Sequence, residues 1–308
     1  MTLTVSGVQA AARRIAPYVR RTPLVASRQP GLWLKLENQQ RTGAFKARGA
    51  FAALTALSPD RRARGVVTHS SGNHGRALAE AARELGCPAT VVVPDTALPH
   101  KVAAIAAAGA QIEVVPAAKR ASRAAALAAT GMTMVPPFDH EHVMAGQGTV
   151  GLEILAQAAQ AEQMVCRVWA PVGGGGLLSG IAVAVAGTDR SVTVVGAEPA
   201  LAGDFADSVR LGRRVTWSTT RVSRTIADGL RLPSVGERPW QHLHALRIGV
   251  VTVSEEQIVQ AMEWLDETGV RAEPSGAVAV AAARSAGRCG DGIDVVVVSG
   301  GNRVGADG

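Results

Sequence analysis

The stretch Val165-Cys166-Arg167-Val168-Trp169-Ala170-Pro171-Val172-Gly173-Gly174-Gly175-Gly176-Leu177 decides how this chain folds. An apolar run of strand length ends at a proline, four glycines follow, and a helical pattern over 177–186 begins at once. Without Cβ atoms the glycines let the backbone approach an anion, and the N–H groups of a helix start point at it. The same alternation recurs in both directions. Upstream, apolar runs at 132–135, 111–115, 89–93, 65–68 and 32–36 are separated by helical patterns at 143–160, 119–130, 98–108, 75–85 and 46–57. Gly86 and Gly109 stand where a helix end wants a left-handed residue. Downstream, strands are expected at 192–197, 250–253 and 293–298, and helices at 254–268 and 275–286. Ser254 and Gln257 have the spacing of a capping box.

Strands alternating with helices predict an α/β fold, with mainly parallel sheets flanked by helices on both faces. Residues 65–142 read as a small domain, and residues 1–64 and 143–308 as a large one, with a cleft between them. Ligands in such folds bind beyond the carboxyl ends of the strands, where the motifs below sit.

Hydrophobic residues make up 47% of the 308, charged residues 19% and aromatics only 3%. That suffices for a large aliphatic core and excludes a disordered chain. The net charge of +7 reads as a solvated basic surface. Arginine pairs such as Arg13-Arg14, Arg61-Arg62 and Arg213-Arg214 lack the interleaved aromatics of a single-strand-binding surface, so no nucleic-acid partner is expected. Cys87, Cys166 and Cys289 are odd in number and far apart in sequence, and indicate neither a disulfide framework nor a zinc site. The N-terminus lacks a signal-type apolar core and no run is long enough to span a bilayer, so a cytoplasmic protein with no membrane partner is expected. No appended regulatory domain is expected either.

Four segments carry chemistry. The glycine loop 173–176 is the strongest phosphate signal. No Lys-Ser/Thr follows it, which argues against a P-loop. A third glycine at dinucleotide spacing is also missing, yet Glu198 after the next strand imitates an acidic ribose ligand, so a dinucleotide reading stays open locally. Ser70-Ser71-Gly72-Asn73-His74-Gly75 offers hydroxyls, an amide and N–H groups at a helix start, suited to a carboxylate. Lys46 opens a helix, where the dipole disfavours a cation, among small and apolar neighbours. Both effects lower a lysine pKa and make a base or nucleophile. Ser299 places a hydroxyl directly past a buried strand.

Taken together, TGAFKARGA (42–50), SSGNHG (70–75), PVGGGG (171–176), EPSGA (273–277) and SGGN (299–302) resemble the fold type II pyridoxal-phosphate enzymes. The resemblance is nearest to the threonine/serine dehydratases (ammonia-lyases) and serine racemases, and runs from Thr22 to Asn302. FDHEHVMAGQGTVGLEIL (138–155) and TIADG (225–229) strengthen it. It implies a two-domain fold like that of the tryptophan synthase β chain, and a cofactor, pyridoxal 5'-phosphate, carried on Lys46. Phe45 matches the residue packed on the pyridine ring and Asn73 the amide facing the cofactor's phenolic oxygen. Gly173, Gly174, Gly175 and Gly176 match the phosphate cradle, and Ser299 the hydroxyl facing the ring nitrogen. Glu273 matches an acidic residue near the ring. Ser70, Gly72 and Asn73 match the substrate-carboxylate loop, and Ser71 the serine on the opposite cofactor face. Glu198, Ala202 and Asp204 match a site for Mg²⁺ or another divalent cation, whose hard oxygen ligands would be two carboxylates and a carbonyl. Ala44 departs from the family, which commonly has Ser there.

The implied activity is β-elimination of L-threonine or L-serine to a 2-keto acid and ammonia, by a homodimer. A serine (or other amino-acid) racemase with dehydratase side activity, and a dehydratase of a related hydroxy-amino acid, are the enzymic alternatives. A non-catalytic amino-acid-binding module is the alternative of another class.

Overall fold

The computed structural model describes residues 3–303. Ten strands build two sheets: β1 (Leu24–Ala26), β2 (Leu32–Lys35), β3 (Val66–Thr68), β4 (Ala89–Pro94), β5 (Gln111–Val115), β6 (Thr133–Met134), β7 (Val165–Pro171), β8 (Thr193–Pro199), β9 (Gly249–Val253) and β10 (Ile293–Val297). The larger sheet has the order β1-β2-β10-β7-β8-β9 and the smaller β5-β4-β3-β6. Every pairing is parallel except β1 with β2, where Leu24 faces Lys35 across a short antiparallel edge. The α/β architecture expected from the alternation is therefore present.

Aliphatic packing holds it together. β4 and β10 are buried along their whole length, the continuous apolar signature of parallel strands covered on both faces. The helices Lys46–Thr55, Glu141–Gln160 and Gly176–Ala186 approach unusually closely. A Cβ on Gly146 would sit 2.4 Å from the Arg48 carbonyl oxygen, and one on Gly180 would sit 2.4 Å from that of Met144. These two small residues seat the helix bearing Lys46 and the helix that opens at the glycine loop against the same central helix, Glu141–Gln160.

Most expected elements form, with trimmed ends. Ser254 and Gln257 make both bonds of the capping box that starts Glu255–Asp266. Gly86 and Gly109 adopt φ of +62° and +105° as their helices end. The fourth strand of the small sheet shortens to Thr133–Met134. Helices Val5–Ile15, Asp204–Leu211 and Glu237–Ala245 and strand β1 were not foreshadowed by the apolar alternation. No helix among the described residues is long and apolar enough to cross a membrane.

Candidate active site

Lys46 is placed by a backbone splice. Thr42 and Gly43 both take left-handed φ, 62° and 74°. The turn lays the next residues along the chain leaving β10: Ala44 bridges Gly300, and the Phe45 N–H donates to the Ser299 carbonyl at 3.1 Å. A side chain at Gly43 would strike Asn302, whose Oδ1 would lie 2.4 Å from its Cβ. Two motifs more than 250 residues apart thus become one wall. Phe45 is the N-cap of Lys46–Thr55 and offers no side-chain cap. The Lys46 ammonium lies 4.9 Å from the Phe45 ring centre and donates to the Pro137 carbonyl at 2.8 Å. Desolvation lowers its pKa to about 8, against a partial pull upward from Glu273.

The second wall is the loop after β3. A Cβ on Gly75 would sit 2.1 Å from the Ser70 carbonyl oxygen, so the loop folds tightly onto the start of Asn73–Glu84. Asn73 Nδ2 donates to Glu273 Oε1 at 2.6 Å, and Asn302 Nδ2 donates both to Asn73 Oδ1 at 3.0 Å and to the Thr42 carbonyl at 2.6 Å. The Asn73 amide is therefore locked at both ends. Burial pushes the Glu273 carboxyl up to about 7, although the Asn73 hydrogen bond opposes the rise. Ser299 is buried at the end of β10, its hydroxyl 3.4 Å from the Ser275 carbonyl. Ser70, Ser71 and Gly72 are half-buried at the mouth of this loop.

The third wall is the glycine loop at the end of β7. Gly175 takes φ +83° and opens Gly176–Ala186 with no side-chain cap, so that helix start offers its N–H groups to an anion. A Cβ on Gly174 would lie 2.2 Å from the Phe138 ring, and one on Gly175 2.6 Å from Val235. Side chains are sterically forbidden here, which is the mark of a cradle rather than a slack linker.

Sequence reading passed over two residues here. Asn302 and Phe138 lay inside quoted motifs without a role, although the polar residue two places past Gly300 was a usable signal. His74, which taken alone reads as a structural side chain rather than a catalyst, lies nearby. Its Nε2 lies 2.9 Å from the Val135 carbonyl while Nδ1 is buried without a partner. Burial first, then the nearby Lys46 cation, depress its pKa to about 3, so the ring is neutral.

Glu198, Ala202 and Asp204 come together separately, at the end of β8. The Glu198 carboxylate accepts from the Phe205 and Ala206 N–H groups at 3.0 and 2.9 Å, and Asp204 accepts from the Val235 N–H at 2.9 Å. Burial, and for Glu198 also the charge of Asp204, raises both pKa values, that of Asp204 to about 7. Among the described residues no group of three or more His, Cys, Asp or Glu side chains is arranged for a metal.

A lysine amine of lowered pKa, a loop of four glycines at a helix start and a locked amide lie close together: Lys46 reaches the Pro137 carbonyl next to the Phe138 that packs on Gly174, and Glu273, which holds Asn73, acts on the Lys46 charge. The family described as "Pyridoxal-phosphate dependent enzyme" matches residues 15–301. The chain belongs to that family. Its cofactor is pyridoxal phosphate, and the residues present fit it: an uncapped glycine-lined helix start whose N–H groups suit the phosphate, and a lysine of lowered pKa for the aldehyde. Among relatives, a serine racemase of Arabidopsis thaliana is 38% identical over 305 residues, covering 94% of this chain and 90% of that protein. An L-threo-3-hydroxyaspartate ammonia-lyase of Saccharomyces cerevisiae is 38% identical over 274 residues, covering 86% and 82%. The crystal structure of the T.th. threonine deaminase superposes with a TM-score of 0.92 at 41% identity, covering 98% of this chain and 99% of that one. The two-domain fold type II architecture that the motifs implied is therefore the architecture of this enzyme, and the dinucleotide reading falls away.

Proposed function

We propose that this enzyme is an ammonia-lyase for small β-hydroxy amino acids, converting L-threonine or L-serine into a 2-keto acid and ammonia. The observation that carries the reading is the backbone splice that lays residues 44–45, next to a Lys46 amine lowered to about 8, along Ser299 and Gly300, so that a neutral hydroxyl residue and the lysine share one wall. Pyridoxal phosphate, when bound, would supply the electron sink that loosens the Cα–H bond, and Ser299 would offer it a neutral hydroxyl in place of a carboxylate, keeping that sink weak and favouring prompt loss of the β-substituent.

The chain's own groups do the rest. Ser70, Gly72 and Asn73 hold the substrate carboxylate at the start of Asn73–Glu84. Gly173, Gly174, Gly175 and Gly176 would hold the phosphate, and Phe45 would line the ring's site. Asn73 is held for its ligand by Glu273 and Asn302. The unprotonated Lys46 amine removes the Cα proton. Water then leaves the β-carbon, and the released enamine takes up water again to give the keto acid and ammonia, so the net change is the loss of NH₃ alone. Keto-acid formation from a panel of hydroxy-amino acids tests the reading. Retained turnover in Lys46→Ala would refute the role of Lys46, and a panel with no keto acid would refute the activity.

Serine racemisation is the second reading, favoured by Ser71 beside the carboxylate loop, where a hydroxyl could serve the opposite face. D-serine appearing from L-serine as fast as pyruvate would establish it. We assign a divalent-cation site to Glu198, Ala202 and Asp204: two buried carboxylates whose pKa values rise together are the donor chemistry a hard cation neutralises. Its test is a Mg²⁺-dependent rise in the unfolding temperature that Asp204→Asn removes. The small domain is taken as residues 65–142 and the large one as 1–64 and 143–308, a division supported by the small sheet lying wholly within the first range. A cytoplasmic homodimer completes the reading, and sedimentation at monomer mass would overturn the assembly.

A further inference from the structure

We propose that Cys166 and Cys289 are a redox-responsive pair, which closes to an intramolecular disulfide by exchange with a low-molecular-weight disulfide. The sequence sets these cysteines far apart, but the sheet joins them. Cys166 is the second residue of β7, and Cys289 lies in the turn that leads into β10. Those strands are neighbours, with Ile293 opposite Val165. The Cys166 thiol donates to the Cys289 carbonyl at 2.7 Å, which brings the two cysteines side by side. A Cβ on Gly292 would lie 2.6 Å from the Cys166 sulfur, so that glycine makes the room the sulfur occupies.

Access and mobility suit exchange. Both cysteines are half-buried, open enough for a small reagent. The connecting turn contains Gly287, Gly290 and Gly292, and Gly290 sits at φ +75°, so the backbone beside Cys289 can adjust to disulfide geometry. Cys87 does not compete: it is buried, with its thiol on the Arg62 carbonyl at 3.1 Å. Burial and the neighbouring Cys166 push the Cys289 thiol up to about 12, so the first attack falls to Cys166.

The exchange balances. The Cys166 thiolate attacks one sulfur of the small disulfide and expels one small thiolate. Cys289, losing its proton, then attacks the Cys166 sulfur and expels the second. Two protein thiols are oxidised, and one small disulfide is reduced to two thiols that take up the two protons. The new bond ties the turn to the start of β7. It lies at the opposite ends of the strands from the glycine loop and Ser299, so it stiffens the β7–β10 pair without entering the cavity.

The test is treatment of the whole protein with oxidised glutathione, followed by intact mass and peptide mapping. The expected result is loss of two thiols without an adduct and a link between the peptides holding Cys166 and Cys289. The unfolding midpoint should rise by roughly 5 °C and return with dithiothreitol. A stable glutathione adduct on wild-type protein, a link to Cys87, or no reaction where a control dithiol oxidises would each overturn the proposal. In Cys289→Ser, one glutathione should stay trapped on Cys166. An unmodified Cys166 in that variant would likewise overturn it.

Discussion

Lys35 is fully buried and Lys46 half-buried, both with amines whose pKa desolvation lowers, and only one of them is built to react. Lys35 spends its donors completely: its ammonium reaches the Thr22 carbonyl at 2.8 Å, Glu153 Oε2 at 2.6 Å and Gln157 Oε1 at 2.7 Å. It belongs to a buried charge cluster in which Arg48 also grips Glu37 with two bonds of 2.8 Å, and Glu153 as well. Lys46 has one carbonyl partner and no carboxylate within bonding distance. Burial lowers the pKa of both amines, but around Lys35 the nearby Glu153 and Glu37 push back. Burial alone therefore does not make a nucleophile. Unspent hydrogen-bonding capacity and the want of an adjacent counter-ion do.

The contrast can be attacked most directly at Lys46. Lys46→Ala should lower keto-acid formation by about 10³-fold or more while circular dichroism stays native. Borohydride reduction of the wild-type holoenzyme should fix the cofactor on Lys46 and leave Lys35 free, and a labelled Lys35 would break the comparison. Lys35→Met should do the reverse, costing about 3–5 kcal/mol in denaturant unfolding because Glu153 loses a buried partner, with turnover per folded molecule retained.

A subtler distinction is electrostatic. In the folded apoenzyme Lys46 loses its proton near 8, against 10.5 for an ordinary lysine. Between those values the unfolded chain binds more protons, so stability rises with pH across that window. Below it the buried amine costs up to about 3 kcal/mol. Lys46→Met should recover part of that cost at pH 7, and the gain should vanish by about pH 10.5. The smallest test concerns the supporting shell. Gly174→Ala drives a Cβ into the Phe138 ring and should weaken cofactor binding by about tenfold, roughly 1.4 kcal/mol, in a spectrophotometric titration. Asn302→Ala frees Asn73 and should shift the cofactor's absorbance with a still smaller loss of affinity.

Much of this site was readable in the chain because its parts are local. The Gly173–Gly176 run, Lys46 at a helix start and the Ser70–Asn73 segment each announce themselves within ten residues, as does the buried run before Ser299. Strands whose whole length is buried, such as β4 and β10, also read clearly. What stayed hidden depends on distant partners. Nothing near Asn302 says that its amide will meet Asn73 and Thr42. Nothing near Cys166 points to Cys289. The short antiparallel β1 is held by its pairing with β2 rather than by its own three residues. The helix Asp204–Leu211 begins where Glu198 reaches across to two of its N–H groups, and no local pattern encodes that reach.

β10 lies between β2 and β7 although it comes last in sequence among the described strands. During synthesis β2 and β7 must wait as open flanks until that strand emerges and zips between them. Lys46 leaves the ribosome early, but the splice that seats it needs Ser299 and Gly300. The nascent polypeptide therefore cannot seat its vitamin until Ser299 and Gly300 have been made, more than 250 residues after Lys46.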